Sequence, residues 1–327
     1  MSTKLSFFLQ FLTCIFNQRH KNPKGGKPQT YSDASFLLFF MVVLYKRIYT
    51  FQTMEKFCKV HFASFGFIKA PSRKTIRRRF LALPSVLQFA MPRIAEQCKK
   101  LNFTTFGFPF AFIDKSVFRA KGGIWHKKDM AINRVPHSSI DTEASWANSA
   151  YHRWRFGYGL HIICNQNRFP INAYVTTASV KDYTLLECLL KPLSQYIGVL
   201  VGDKGYFAIR SLQKVYQLWG TLVQTPSIFE NISQDTKNSF KQIYNNLVRT
   251  TQAGWLYKKR KSSIEPVFSL IKELFDLKGE SQLPFKKLKF VEPYLLITVV
   301  MIQLMMYDNF TNQRELGNIN ELLALFR

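Results

Sequence analysis

The feature that most constrains the fold is a series of short apolar segments between residues 106 and 225. These segments are rich in aromatic and β-branched residues, and polar or Gly/Pro/Asn breaks separate them, which is typical of β-strands. The five predicted strands are residues 110–118, 154–164, 169–177, 198–206 and 220–225.

Helical patterns alternate with the later strands. Residues 182–196 are amphipathic and precede the fourth strand, and residues 207–218 form a second helical pattern before the fifth. The break at residues 165–167 is short enough for a hairpin, and a strong helix is predicted at 262–277. This order predicts an α/β fold in which a mixed five-stranded sheet is flanked by helices.

The N-terminal third of the chain has a different composition. Residues 1–100 contain 18 lysines and arginines but only three acidic residues. The apolar segment at residues 5–16 favours a packed helix over a signal peptide, because no A-x-A cleavage site follows it. We therefore predict a basic, helical DNA-binding region over residues 1–105.

The net charge of +26 indicates a polyanionic partner. Repulsion among so many positive charges opposes a compact fold, and a polyanion would supply the counter-charge that offsets it. Within the basic region, Ser72 is the predicted N-cap of a helix with an unusually charged face. Its five basic residues are Arg73, Lys74, Arg77, Arg78 and Arg79. This charged face could simply be solvated, but its charge is nearly unopposed by acids, which favours contact with phosphates. We predict a helix-turn-helix-like unit at about residues 50–83.

The five cysteines predict a reducing environment. Their number is odd and their spacing fits neither a disulfide framework nor a CxxC zinc site, so we expect free thiols and a cytoplasmic location. The longest apolar run, residues 36–45, is about half of the roughly 20 residues that cross a bilayer. Polar residues interrupt the segment 294–306, which we predict to be a core helix closing the fold, and no membrane partner is expected.

Three carboxylates occupy positions that suggest chemistry. Asp114 interrupts an otherwise apolar strand, and Asp203 lies where the strand VLVG gives way to the turn KGY. Glu265 lies beside the apolar face of the 262–277 helix. A charge among apolar residues is costly unless a cation or a hydrogen-bond network compensates it. An all-oxygen set without a Cys or His cluster favours Mg²⁺ or Mn²⁺ over Zn²⁺.

Taken singly, each acid has a structural alternative. Asp203 could be an ordinary turn residue, and Glu265 could belong to an exposed helix face. Asp114 is harder to explain in this way, because its neighbours are mostly apolar. Other acids of this region are interpreted as structural or supporting groups: Asp141, Glu143 and Asp182, the last as a helix N-cap.

Taken together, these motifs resemble the DDE-type insertion-sequence transposases, which have an RNase H-like catalytic core. VLVGDKGY around Asp203 is similar to the family's second-aspartate motif, and FIDKSVF around Asp114 is similar to its first. In and just before the helix predicted at 262–277, Glu265 takes the place of the family's catalytic glutamate, and Lys272 takes the place of the lysine that follows it. Tyr257 and Lys261 take the places of the tyrosine and the arginine that precede that glutamate.

The resemblance implies an RNase H-like catalytic domain over residues 106–280 and a helical extension over 281–327. It implies that Asp114 bridges two metal ions and that Asp203 and Glu265 each complete the coordination of one ion. It also implies that Lys261 and Lys272 contact DNA near the scissile phosphate and that Tyr257 belongs to the same DNA-binding set. The implied enzyme hydrolyses DNA at transposon ends and joins the exposed 3′-hydroxyl to target DNA.

The implied cofactor is Mg²⁺ or Mn²⁺. The implied partners are double-stranded DNA, namely terminal inverted repeats and target DNA, and further copies of the chain in a dimer or larger assembly. The implied location is the prokaryotic nucleoid. Two alternatives stay open: a DNA-binding protein with the same fold but no catalysis, and a simple RNase H-like nuclease. A glycosidase with two carboxylates matches the charge poorly.

Overall fold

The computed structural model describes residues 3–18, 30–100, 110–149, 153–193, 196–228, 239–279 and 281–318. Its centre is one mixed β-sheet. The strands are β1 (Phe110–Arg119), β2 (Ser145–Ser149), β3 (Arg153–Asn165), β4 (Pro170–Thr177), β5 (Val199–Val201) and β6 (Leu222–Gln224).

The sheet order is β2-β3-β1-β5-β6, and β4 also pairs with β3. The strands β1, β2 and β4 run antiparallel to β3, whereas β5 is parallel to both β1 and β6. The predicted mixed sheet flanked by helices is thus confirmed. Each predicted strand has a counterpart in the described residues, and the connections follow the predicted order.

Two details of the sheet differ from the prediction. The strand β2 was not predicted, because its sequence, SWANS, lacks the β-branched residues that mark the other strands. The predicted strand 198–206 is paired only over Val199–Val201, since the chain turns at Asp203 into a 3₁₀ turn, Lys204–Tyr206. The shortening places Asp203 at the strand end.

Helices cover the sheet and extend the core. In the N-terminal region they are α1 (Thr3–Asn17), α2 (Asp33–Tyr45), α3 (Phe51–His61) and α4 (Arg73–Lys100). In the rest of the described chain they are α5 (Lys127–Ala131), α6 (Leu186–Leu190), α7 (Ile209–Trp219), α8 (Ser239–Val248), α9 (Thr251–Leu274) and α10 (Leu288–Thr311).

The predicted helix at 182–196 is broken into short pieces. Asp182–Leu185 and Lys191–Leu193 are 3₁₀ turns on either side of α6. Pro192 is compatible with this end, since proline cannot donate the next helical hydrogen bond. The helix α9, by contrast, is longer than predicted and begins at Thr251, whose preceding residue Thr250 accepts a hydrogen bond from the Ala253 N–H at 3.1 Å.

Alternate residues of the central strands face different layers. Cys164 of β3 lies under α9, where its thiol contacts the Ser263 carbonyl at 3.7 Å. Asn172 of β4 faces the opposite layer, where it donates to the Leu189 carbonyl of α6 at 2.8 Å. Asp114 lies on the α9 face, because its Arg260 contact comes from that helix.

The N-terminal helices share a core with the sheet. The helix α4 packs against β4 and α10. Gln303 of α10 donates to the carbonyls of Met91 in α4 at 3.0 Å and of Pro170 in β4 at 2.9 Å. The predicted cap is present, since Ser72 accepts from the Thr75 N–H at 3.4 Å. The helix-turn-helix-like unit stays a prediction.

The C-terminal helix α10 is buried along most of its length, as predicted for a core helix. By length and composition it is the one helix among the described residues that could cross a membrane, and 89% of its apolar window is buried inside the protein. The core helix of a soluble protein passes the same test. All five cysteines are free thiols.

Candidate functional site

Two of the predicted carboxylates lie just beyond the point where the pairing between the parallel strands β1 and β5 ends. In the register of β1 and β5, Phe112 pairs with Val201. Asp114 and Asp203 each lie two residues beyond this pair, so both leave the sheet on the same side and at the same level. The charge of Asp203 contributes to the environment of Asp114. The sheet therefore brings these two acids together.

Asp114 already has partners for both carboxylate oxygens. Its Oδ1 accepts from the Lys115 N–H at 2.9 Å, and its Oδ2 accepts from the Arg260 guanidinium at 2.6 Å. The pKa of Asp114 is raised to about 6, because burial and the charge of Asp203, which raise it, outweigh Arg260, which lowers it. The ion pair with Arg260 thus partly compensates the burial of this carboxylate.

Asp203 is held by the turn that follows β5. Its Oδ1 accepts from the Gly205 N–H at 2.9 Å, which is the turn contact expected of an aspartate before a glycine. A Cβ atom at Gly205 would lie 2.5 Å from Asp182 Oδ2 and 3.1 Å from Asp203 Oδ1. Glycine is therefore needed here, because two carboxylates converge on the same backbone position.

Asp182 is closer to the site than its interpretation as a helix cap suggested. The Lys115 ammonium lies 2.5 Å from Asp182 Oδ1 and also approaches the carbonyls of Ala178 and Val180 at 3.4 and 3.3 Å. Burial raises the pKa of Asp182, the charge of Lys115 lowers it, and Asp203 raises it. Asp182 is therefore, after Asp114, a second carboxylate near Asp203, and Lys115 balances its charge.

A buried polar network of His161, Tyr206 and Thr176 holds the turn that follows Asp203. The ring of His161 contacts the Tyr206 hydroxyl at 3.3 Å through Nδ1 and the Thr176 hydroxyl at 3.2 Å through Nε2. Burial, followed by the charge of Lys115, lowers the pKa of His161 to about 3. His161 is thus neutral at physiological pH, and its ring positions Tyr206 without adding charge.

Glu265 is not brought to the two aspartates. It lies on an exposed face of α9 and lines a groove of about 910 Å³ with Arg168 of the β3–β4 turn. Arg260, which contacts Asp114, is five residues earlier, so the two side chains leave the helix about 140° apart. The role of Glu265 as a third ligand stays a prediction.

The other predicted residues of α9 are distributed around the helix. Lys261 is exposed and lines the same groove as Glu265. Lys272 is half-buried, with its ammonium 5.9 Å from the Phe118 ring centre, and burial followed by the charge of Arg155 lowers its pKa. The Tyr257 ring lies 5.6 Å from the guanidinium carbon of Arg260. Their roles in DNA contact stay predictions.

Arg260 is the residue of the site that the sequence analysis missed. It is buried in α9, where it continues the series of Ile264, Val267 and Ile271 at helical spacing. A charge at a position of the apolar stripe was the available signal, since such a charge requires a buried partner. The basic run around it concealed this signal.

The contacts of Asp114 and Asp203 limit how a metal ion could bind between them. Across the described residues, no group of three or more His, Cys, Asp or Glu side chains is placed to hold a metal ion. The Oδ2 atom of Asp114, which a metal ion would need as a ligand, already accepts a hydrogen bond from the Arg260 guanidinium. In this arrangement the donors do not fit two divalent ions.

The predicted DNA-binding helix is α4, and its basic residues divide into two groups. Arg73, Lys74, Arg77 and Arg78 are exposed. Arg79 is instead held by the Asp33 carboxylate at 3.0 Å and by the Tyr31 carbonyl at 2.5 Å. Arg79 therefore joins α4 to α2 within the protein.

Asp141 and Glu143, interpreted as structural, hold the start of α10. Asp141 is buried and accepts from the Tyr158 hydroxyl at 2.7 Å and from the Lys287 N–H at 2.9 Å. Glu143 accepts from the Leu288 N–H at 2.8 Å. Anionic side chains at a helix N-terminus accept hydrogen bonds from its free N–H groups and interact favourably with the helix dipole. Both acids have a structural explanation.

A mixed sheet that places Asp114 of β1 beside Asp203, just after the parallel strand β5, has the RNase H-like fold. The family model described as "Transposase DDE domain" matches residues 107–281. The chain belongs to this family. No curated protein matches the chain at a significant level.

Among solved structures, the chain is similar to a piggyBac transposase synaptic complex with hairpin DNA, at 9% identity and a TM-score of 0.42. That alignment covers 98% of this chain and 76% of the other. It is also similar to a Mos1 transposase paired-end complex with the left transposon end, at 12% identity and a TM-score of 0.22, covering 90% and 82%.

Proposed function

We propose that this chain is a DNA transposase that hydrolyses a phosphodiester at the ends of a mobile element and joins the freed 3′-hydroxyl to target DNA. The observation that carries the proposal is that Asp114 of β1 and Asp203, just after β5, lie at the same level of two adjacent parallel strands in a DDE-family domain. Glu265 is proposed as the third carboxylate, and Mg²⁺ or Mn²⁺ as the cofactor. The two-ion mechanism is part of the proposal.

The proposed partner is double-stranded DNA, as terminal inverted repeats and as target. A net charge of +26 supports a polyanionic partner. Arg73, Lys74, Arg77 and Arg78 form an exposed basic face on α4 that is available for phosphate contact. We propose additional contacts from Tyr257, Lys261 and Lys272, an assembly of two or more copies on DNA, and a location with the nucleoid in a prokaryotic cytoplasm.

The dependence of DNA cleavage on divalent cations tests the proposal. The substrate is a duplex carrying the inverted repeats that flank the gene, and the measurement is nicked product on a denaturing gel. We expect cleavage with Mg²⁺ or Mn²⁺ and none with EDTA. With Ca²⁺, whose bonds are longer and whose geometry is looser, we expect DNA binding without turnover.

The outcomes of this experiment separate the candidate functions. Cleavage that persists in EDTA would contradict the metal requirement. Specific, salt-dependent binding without cleavage under any of the cations would favour the alternative of a DNA-binding protein. Cleavage without joining of the 3′-hydroxyl to target DNA would favour the simple nuclease.

Replacing two arginines of α4 tests the DNA-binding face. For Arg77→Gln with Arg78→Gln, we expect the slope of log K against log salt concentration to become shallower by about two, at roughly 0.9 for each lost phosphate contact. Arg210→Gln, which removes an exposed charge of α7, is the control and should leave the slope nearly unchanged. An unchanged slope in the double variant would make this helix face a solvated surface.

A further inference from the structure

The Arg260 guanidinium has few partners for a buried charge. Arg260 is 8% exposed, and the only carboxylate to which it is hydrogen-bonded in the described residues is that of Asp114. Its Nε is buried and has no hydrogen-bond partner among the described residues. Buried donors are usually paired, and leaving one unpaired is costly. The guanidinium is therefore held here mainly by the charge of the acids.

Both aspartates act on this guanidinium. Asp114 contacts it directly, and the charge of Asp203 also favours its protonated form. An arginine stays charged at any pH at which the protein is folded. The site thus contains a permanent internal cation that is paired with Asp114 of β1 and is also influenced by Asp203 in the turn after β5.

We propose that Arg260 is the resident counter-ion of the Asp114–Asp203 pair and that a divalent cation binds these carboxylates only by displacing its guanidinium. The inference rests on the proposed function, because it assumes that the aspartates are metal ligands. It accounts for the poor fit of these donors to two divalent ions, because the Asp114 carboxylate is already paired with the guanidinium. It also makes cation binding weak while the ion pair is intact.

Substitutions can separate the effect of the charge of Arg260 on metal binding from the effect of its planar geometry. Lysine keeps the positive charge but is a point charge on a flexible chain, whereas arginine offers a rigid planar donor set. Glutamine keeps a donor and removes the charge. The competition therefore predicts that metal affinity rises in the order Arg260, Arg260→Lys, Arg260→Gln.

The test is Mn²⁺ binding to the full chain without DNA, measured by isothermal titration calorimetry and by the loss of the free-Mn²⁺ signal in electron paramagnetic resonance. We expect Arg260→Gln to bind Mn²⁺ about tenfold more tightly than the wild type, because one competing charge is removed from the site. Arg260→Lys should bind about threefold more tightly. Arg210→Gln, which lowers the net charge equally at an exposed site, should match the wild type.

A second measurement uses free guanidinium as the competitor. In Arg260→Ala, millimolar guanidinium chloride should weaken Mn²⁺ binding, whereas the same concentration of sodium chloride should not. If Arg260→Gln and Arg260→Ala fail to fold by circular dichroism, Arg260→Lys decides: an affinity equal to that of the wild type would overturn the proposal. An unchanged affinity in a folded Arg260→Gln would do the same.

These results are separable from the proposed function. Mn²⁺-dependent cleavage by the wild type, together with equal Mn²⁺ affinity in all variants, would reject the counter-ion role and leave the transposase proposal intact. Absence of both Mn²⁺ binding and cleavage in the wild type and in every Arg260 variant would reject both.

Discussion

Asp114→Asn and Asp203→Asn are each expected to reduce DNA cleavage by at least about a thousandfold while leaving DNA binding within a few-fold of the wild type. A carboxylate that helps to stabilise charge at a reacting phosphate contributes several kcal/mol, and each 1.4 kcal/mol is a factor of ten in rate. Binding is expected to survive, because the exposed basic face of α4 lies on a different element.

Asparagine is chosen because it keeps the backbone contacts of each site. In Asp203→Asn the amide oxygen still accepts from the Gly205 N–H, so the turn after β5 is retained. In Asp114→Asn the amide oxygen still accepts from the Lys115 N–H, but the amide nitrogen cannot accept from the Arg260 guanidinium, so this variant also loses the ion pair. Circular dichroism and a salt titration of DNA binding check that the variants fold and bind.

A matched acid serves as the control for this experiment. Glu187→Gln removes a carboxylate that forms an exposed ion pair with Lys214 at 2.6 Å, and it should leave cleavage unchanged. Glu265→Gln tests the third predicted ligand. A loss equal to that of the aspartate variants would require α9 to present Glu265 differently on DNA, whereas nearly full activity would exclude it from the site.

His161→Gln is expected to change how stability depends on pH. In the folded protein the pKa of His161 is about 3, against an ordinary value of 6.5, because burial and the charge of Lys115 disfavour protonation. Between these values the unfolded chain binds more protons than the folded protein. His161 therefore lowers the free energy of unfolding as the pH falls below 6.5, by about 1.4 kcal/mol per pH unit.

Urea unfolding at several pH values measures this effect. From pH 6.5 to pH 5 the wild type should lose about 2 kcal/mol relative to His161→Gln. The variant isolates His161, because the raised pKa values of Asp114 and Asp182 act in the opposite direction and are common to both proteins.

The surroundings of His161 define the control. Lys115, Tyr206 and Thr176 face its ring, and Lys115 and Tyr206 are the titratable members of this group. His137→Gln replaces an exposed histidine and should leave the difference from the wild type constant with pH. Parallel stability curves for the wild type and His161→Gln would contradict a buried neutral imidazole.

Most of the strand order was predictable from sequence because the signal is local. Aromatic and β-branched residues bounded by turn residues predict a strand wherever they occur, and the strands around Asp114 and Asp203 follow this rule. The strand Ser145–Ser149 was missed, because its polar sequence forms a strand only through pairing with Arg153–Asn165. The residues of this strand carry no strand signal of their own, although its partner is the next segment of the chain.

The interruption of one apolar strand by Asp114 and the position of Asp203 after another could be predicted, since a charge among apolar residues is visible in the linear sequence. The identity of the α9 residue that meets Asp114 depends on the packing of the helix against the sheet. Adjacent helical positions differ by about 100°, so the packing of Ile264, Val267 and Ile271 against the sheet selects Arg260 and turns Glu265 outward. That rotation depends on contacts between segments far apart in the chain, and it sets the charge balance of the site.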